Sequence, residues 1–406
     1  MNILVISGYN PKDNSSADLS HNAYINGMLQ LGYQVDLLCY SDYLDDSDSQ
    51  SEIPNVNNMY TFDGLSLYEK MANRRGGNSG VATEDSDGDA EFEQNQHIGM
   101  KQRLITKTKR LVRSLYGIYN PSIMWFVRAK KFKSDVDYDF VVSMSYPQVS
   151  HLVAKFLIEK KSVNYKKWVQ LWEDPWAADL GNMDGFEKCL KPEGKLLDAA
   201  EDIVYVSPIT MEHQKAFFPN NKEKMRWCPL ASYYHSRTID YPPKYTYYGY
   251  FGDYSPQIRN LEPFYNVAVN RYLNVDICGS PSDLFSSKNN VKIYPRLQIS
   301  ELQKHEDKAN IVICLFNLGG GQIPGKIYQL AATNKTILAI LDGPEDEQRI
   351  IRDYFEKYNR FVFCQNNEQS ISEAIVRIEN NDLGSVSNEP INDFSVEKVA
   401  KMLLGD

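Results

Sequence analysis

Several features that would fix a protein's chemistry are scarce or missing here. Six cysteines occur in 406 residues, at Cys39, Cys189, Cys228, Cys278, Cys314 and Cys364, and no two form a C-x-x-C pair. That spacing excludes a zinc ribbon or a thioredoxin-like redox motif. Several of the thiols lie in apolar runs, where cysteine packs as a small hydrophobe, in keeping with a reducing cytoplasm. No run of about 18 apolar residues exists, so no membrane-spanning helix is expected. The start, MNILVISGYN, lacks a basic flank and a long apolar core and does not read as a secretory signal. Cations are outnumbered, with 44 Lys and Arg against 53 Asp and Glu. A net charge of −9 excludes nucleic-acid binding through overall charge. Histidines are few, and none pair at metal-ligand spacing. His21, His151, His213, His235 and His305 are read as cap or surface groups. The first strand is followed by one glycine, so the G-x-G-x-x-G of a nicotinamide dehydrogenase is missing.

Hydrophobic residues make up 42% of the chain, enough for proper cores, and the length favours two domains. Short apolar runs alternate with helical patterns throughout. NILVIS (2–7), QVDLLCY (34–40), YDFVVSMS (138–145), KWVQLWED (167–174), DIVYVS (202–207) and KMRWCPL (224–230) read as strands. A second series follows: YTYYGYFG (245–252), VDICGS (275–280), VKIYP (291–295), NIVICLF (310–316), TILAIL (336–341) and RFVFCQ (360–365). Helices are expected near 21–31, 257–272, 299–308, 324–333, 345–357 and 368–380. Near-continuous apolar strands between helices mean a parallel sheet covered on both faces. The class is therefore α/β, with two doubly wound Rossmann-like domains in tandem and a cleft between them where strand carboxyl ends bind ligand. Boundaries are expected at 1–235 and 236–390, with a linker at 231–244 and a terminal helix at 391–406, capped by Ser395, that packs back on the first domain. The polar, Gly-rich and acidic stretch 74–97 buries too little to offset ordering and reads as a mobile insertion.

Order and spacing of these segments resemble the bacterial GT-B glycosyltransferases, in particular the family-four-like enzymes of surface-polysaccharide assembly. The resemblance rests on the Gly8 loop and NAYINGMLQLGYQVDLLCY, on YDFVVSMSYPQVSHLVAKFL, WVQLWEDPW and VYVSPITMEHQKAFFP. In the second half it rests on YFGDYSPQIRN, VDICGSP, VKIYPRLQISEL and IPGKIYQLAATNKTILAI. It implies a GT-B fold and sugar transfer from a nucleotide-diphosphate donor to a growing, lipid-linked glycan of capsule, O-antigen or exopolysaccharide. It also implies hexosyl-type transfer with retention at the anomeric carbon, and no cofactor or bound metal.

Candidate site residues fall in four stretches. GGGQIPGKIYQL (319–330) places flexible backbone and one cation ahead of a helix. Pro324 suits a first helical turn. Gly320 and Gly321 let backbone approach a ligand, and Lys326 adds a point charge to meet a diphosphate. The resemblance gives Lys326 the diphosphate; a flexible turn with a solvated lysine is the alternative. It also puts an arginine on the diphosphate near Gly252, which points to Arg259, whose fork suits phosphate oxygens; a surface arginine is the alternative. Relatives carry two glutamates eight positions apart, and here those positions hold Gly321 and Gln329. Gln329 retains hydrogen bonding for a ribose. Tyr294, Pro295 and Arg296 are expected as a nucleobase platform, against an ordinary strand-to-helix turn.

In the first half, WEDPW (172–176) ends a strand with an acidic pair between two tryptophans. Asp174 and then Glu173 are the catalytic candidates, with Trp172 and Trp176 packing on acceptor sugar. A helix N-cap is the competing reading for Asp174. The loop Gly8, Tyr9 and Asn10, with 13–16 behind it, is expected to touch acceptor. Residues 101–133 hold ten Lys or Arg and no acid. Their basic, partly amphipathic pattern suits peripheral contact with the inner face of the cell membrane, or a solvated face whose apolar stripe packs on its own domain. A non-catalytic GT-B binding module and a non-hydrolysing nucleotide-sugar epimerase remain the rival functions.

Overall fold

The computed structural model describes residues 1–13, 15–40, 53–64, 119, 123–182, 185–233, 238–242, 244–319 and 321–405. The expected insertion at 74–97, most of the basic stretch (101–118 and 120–122), His235 and Gly320 lie outside the described residues. The chain forms two compact units. One comprises Met1–His21, Gly32–Val204 and Phe218–Met225; the other comprises Asn22–Leu31, Tyr205–Phe217 and Arg226–Asp406.

The first half of the chain builds a seven-stranded sheet. Its elements run β1 (Asn2–Ser7), α1 (Ser16–Gln30), β2 (Gln34–Tyr40), β3 (Asn58–Phe62), α2 (Ile123–Ala129), β4 (Asp137–Ser145), α3 (Val149–Glu159), β5 (Asn164–Trp172), α4 (Phe186–Leu197), β6 (Asp202–Tyr205), α5 (Pro208–Phe217) and β7 (Met225–Trp227). The spatial order is β3-β2-β1-β4-β5-β6-β7. β1 pairs in parallel with both β2 and β4, Ile3 opposite Val35 on one side and Phe140 on the other. Ile3, Leu4, Val5 and Ile6 are all solvent-free, as expected for a strand covered on both faces. β3 escaped the sequence reading because NMYTF is short and half-exposed.

The second half builds a six-stranded, all-parallel sheet. It runs β8 (Tyr248–Phe251), α6 (Glu262–Asn270), β9 (Val275–Cys278), β10 (Val291–Tyr294), α7 (Ile299–Lys308), β11 (Ile311–Leu315), α8 (Lys326–Ala331), β12 (Thr336–Leu341), α9 (Glu345–Glu356), β13 (Phe361–Gln365), α10 (Glu368–Glu379) and α11 (Val396–Leu404). The order is β10-β9-β8-β11-β12-β13. Tyr248, Phe264, Ile277, Leu338 and Ile375 belong to one buried cluster on this sheet. The helix expected from 257 starts only at Glu262, because Ser255 and Arg259 close a tight bridged turn and Pro263 opens the helix.

Both sheets reverse their strand order beside their first strand. In the first sheet the reversal lies between β1 and β4; in the second it lies between β8 and β11. Loops leave such a pair of strand ends toward opposite faces, which opens a ligand-sized gap.

The terminal helix α11 carries the expected cap, the Ser395 side chain accepting from the Lys398 amide, and ends at left-handed Gly405. It lies on Gly27 of α1, and Arg226 donates to the carbonyls of Met402 and Leu403. A Cβ at Gly27 would stand 2.0 Å from the Val396 carbonyl oxygen. Gly27→Ala should therefore cost about 1–3 kcal/mol of overpacking, more than the roughly 1 kcal/mol that alanine returns in helix propensity. A lowered urea midpoint with unchanged slope is expected; an unmoved midpoint would mean that α11 shifts without cost.

Candidate functional site

The second sheet's reversal point gathers one cation and its holder. Arg259 sits in the turn after β8, half-buried, and its Nε donates to Oδ1 of buried Asn317 over 2.7 Å. Asn317 follows β11, so the two ends of the reversal point are tied by this bond. The rest of the guanidinium fork lies near the Asp253 carbonyl, 3.5 Å away. Gly252 donates its N–H to Cys278 at the end of β9 (3.0 Å). Asn317 was invisible in sequence, since a lone asparagine after a strand carries no pattern.

Lys326 opens α8, but it is not a solvated lysine. Its Nζ lies 2.6 Å from Glu306 Oε1 on α7, with the carboxylate almost fully covered. A short pair between a half-buried ammonium and a buried carboxylate is held far better than a surface pair.

Two expectations in this stretch are corrected. Gly321 does not offer its backbone to a ligand. It is buried at φ +71°, its carbonyl accepts from the hydroxyls of Ser207 and Thr210, and its N–H donates to the Glu347 carboxylate. Here the glycine serves close packing, since a Cβ would fall 2.5 Å from Ile209. Gln329 does not reach a ribose. It is 1% exposed, its Oε1 accepts from the Tyr233 amide (2.8 Å) and the Ser232 hydroxyl (3.2 Å), and its Nε2 donates to Ala231. The stretch expected to be a linker is thereby fastened to α8.

Tyr294, Pro295 and Arg296 end the edge strand β10. The Tyr294 ring lies 4.4 Å from the His305 ring, while Pro295 and Arg296 are exposed. Arg296 stands 3.8 Å from Asp253, both partners open to water, so the pair contributes little.

The first sheet's reversal point is built differently. Gly8 follows β1, donates to Ser150 Oγ (2.9 Å), and lies so near Pro147 that a Cβ would meet it at 2.8 Å. Asn10 closes a local turn with Lys12 and Asp13. Tyr9 is corrected as an acceptor contact, being 4% exposed with its ring edge-on to His21. Trp172 and Trp176 are likewise corrected. Both are buried, Trp172 against His151 and bonded to Gln170, Trp176 against Tyr119. Apolar strand ends in a doubly covered sheet point their rings into the core, which sequence adjacency to WED could not show.

Glu173 and Asp174 remain half-buried at the end of β5, in a run of bends and turns. No helix starts at Asp174–Pro175; the next begins at Phe186, which removes the N-cap reading. Glu173 Oε1 is covered and finds no hydrogen-bond partner. Burial, reinforced by the charges of Asp174 and Asp18, pushes its carboxyl well above the usual range.

His21 and His151 are not cap or surface groups, as the sequence reading had them; both are solvent-free. His21 Nδ1 accepts from Ser7 Oγ (2.8 Å) and Nε2 bonds the Ser145 carbonyl (3.3 Å), with Glu173 Oε1 at 3.7 Å. His151 Nδ1 meets Ser143 Oγ at 2.8 Å. Burial lowers His21 to about 4 and, with His21 nearby, His151 to about 3. Two neutral imidazoles and a carboxyl of raised pKa thus lie close together here. Among the described residues no cluster of three His, Cys, Asp or Glu is arranged to hold a metal ion.

No protein-family model matches the chain, and no curated protein does. Solved structures do match over its whole length. A sucrose-phosphate synthase from Thermosynechococcus elongatus is 10% identical with a TM-score of 0.54, covering 100% of this chain and 94% of that one. HepE of Anabaena, solved in complex with UDP and glucose, is 9% identical with a TM-score of 0.53, covering 100% and 96%. The lipopolysaccharide outer core galactosyltransferase WaaB is 10% identical with a TM-score of 0.52, covering 99% and 97%. At such identity the likeness is one of fold: the chain has the α/β architecture of the GT-B glycosyltransferases.

The buried histidines set an acid limit. A histidine held neutral down to pH about 4 costs stability as pH falls from its ordinary value near 6.5. For His21 that is about 2–3 kcal/mol between neutrality and pH about 4.5; the raised Glu173 acts oppositely, weakening the fold as pH rises from the usual carboxylate range. His21→Gln should flatten the acid limb of urea-unfolding free energies by that amount. An acid limb as steep as that of the wild type would refute the neutral assignment.

Proposed function

We propose that the chain is a glycosyltransferase that moves a hexosyl-type sugar from a nucleotide-diphosphate donor to a growing, lipid-linked glycan of capsule, O-antigen or exopolysaccharide. The observation that carries this reading is Arg259, oriented by Asn317 at the reversal point of the second sheet, in a chain that matches glycosyltransferase structures end to end. A guanidinium oriented at Nε, with Nη1 near the Asp253 carbonyl, still carries further N–H donors for phosphate oxygens. Lys326 is the second cation, and it meets the diphosphate in competition with Glu306.

In this reading the first sheet receives the acceptor. Asp174 serves the acceptor hydroxyl, and Glu173 beside it stabilises the reacting centre where charge develops. Transfer with retention, and docking of the basic stretch 101–133 on the inner membrane face, belong to the same proposal. Within the described part of that stretch, Trp125 of α2 packs inward while Lys131 and Lys133 are exposed.

A non-catalytic GT-B module is the second reading, favoured by the internal use of Gly321 and Gln329. The two separate on one experiment. UDP, GDP, ADP and dTDP are titrated calorimetrically, and nucleotide release from their sugars is followed with lipid-linked acceptors. Arg259→Ala should weaken the bound nucleotide by about tenfold to a hundredfold, the loss expected for a charge-assisted pair. Lys326→Ala should weaken it less, since that ammonium is already partnered. Saturable binding without release supports the module; binding indifferent to Arg259→Ala refutes the donor site.

A further inference from the structure

Glu193 is a buried carboxyl outside both strand-order reversals. It lies on α4, is 0% exposed, and reaches back to the loop after β5. One oxygen accepts from the Ala177 amide at 2.7 Å and the other from the Trp176 amide at 3.3 Å. Both amides follow Glu173 and Asp174 in the chain, with Pro175 between. The helix that carries Glu193 is itself fixed to β5, because Gln170 Nε2 donates to the Leu196 carbonyl (2.9 Å). Burying a carboxyl is costly unless its hydrogen bonds are made. Burial, with Asp179 of like charge adding to it, lifts this carboxyl to about 7, while the two amides pull it down. Packing alone would be met better by an apolar side chain of that size. The carboxylate's distinctive action is to hold two successive amides from one side.

We propose that Glu193 is the positioning residue that fixes the loop bearing Glu173 and Asp174 in its working geometry. The proposal rests on the glycosyltransferase reading for its catalytic consequence and on geometry alone for the clamp. The amide pair sets the direction in which the chain leaves β5, and with it the place of both carboxyls. Misplacement of a reacting group by about 1 Å costs up to about a hundredfold in rate.

The test uses the full chain with Glu193→Gln, which keeps the size but turns an NH2 toward one amide, and Glu193→Asp, which keeps the charge but shortens the reach. Hydrogen exchange of the segment 173–182 should speed up by about tenfold in both, as local opening becomes easier. With donor sugar and acceptor, kcat should fall by about tenfold or more while donor KM holds. Unchanged exchange refutes the clamp. Faster exchange with unchanged kcat, or a parallel rise in donor KM, reduces Glu193 to a fold-stabilising group and overturns its positioning role. If the wild type transfers no sugar from any donor, the glycosyltransferase reading fails instead, and the exchange measurement still decides the clamp.

Discussion

Each sheet changes the direction of its strand order beside its first strand, and His21 in the first sheet and Arg259 in the second are held at that change. At β1 and β4, and again at β8 and β11, neighbouring strand ends send their chains to opposite faces. Backbone and side-chain polar groups at these ends lose the ladder that satisfies them elsewhere and must find other partners. Ser7, His21 and Ser145 do so in the first sheet, Gly252, Arg259 and Asn317 in the second.

The two ends solve the problem with opposite electrostatics. In the first sheet burial works against charge: it holds His21 and His151 neutral and pushes the Glu173 carboxyl up. In the second sheet polar and ionisable groups are paired. Arg259 is oriented by an amide, Lys326 by Glu306, and buried Asp276 is met by Tyr247, His305 and Lys308. A matched cationic surface suits a polyanion, whose charge replaces an existing partner.

The fold was legible because parallel strands write themselves as short apolar runs. Nearly every run read as a strand is one, and the missed β3 is the half-exposed exception. Of the cations proposed from the sequence, Arg259 and Lys326 lie after β8 and at the start of α8, each with a side-chain partner that no local pattern announces. The sequence misled where a residue type has two uses. Gln329 and Gly321 look like ligand contacts and are internal fastenings; Trp172, Trp176 and Tyr9 look like sugar platforms and are core. His21 and His151 looked idle, since a single histidine carries no periodicity.

Local composition by itself determined the element types and their alternation, because burial on both faces demands continuous apolar strands and helices need caps and turns at set spacing. It also determined which cations and carboxyls were at hand. Tertiary structure alone decided which of them meet: Asn317 with Arg259, Glu306 with Lys326, Glu193 with the amides of Trp176 and Ala177. The physical reason is range. Propensity and periodicity act over a few neighbouring residues, whereas desolvation and hydrogen bonding of a buried polar group depend on partners brought from 16 to 58 positions away.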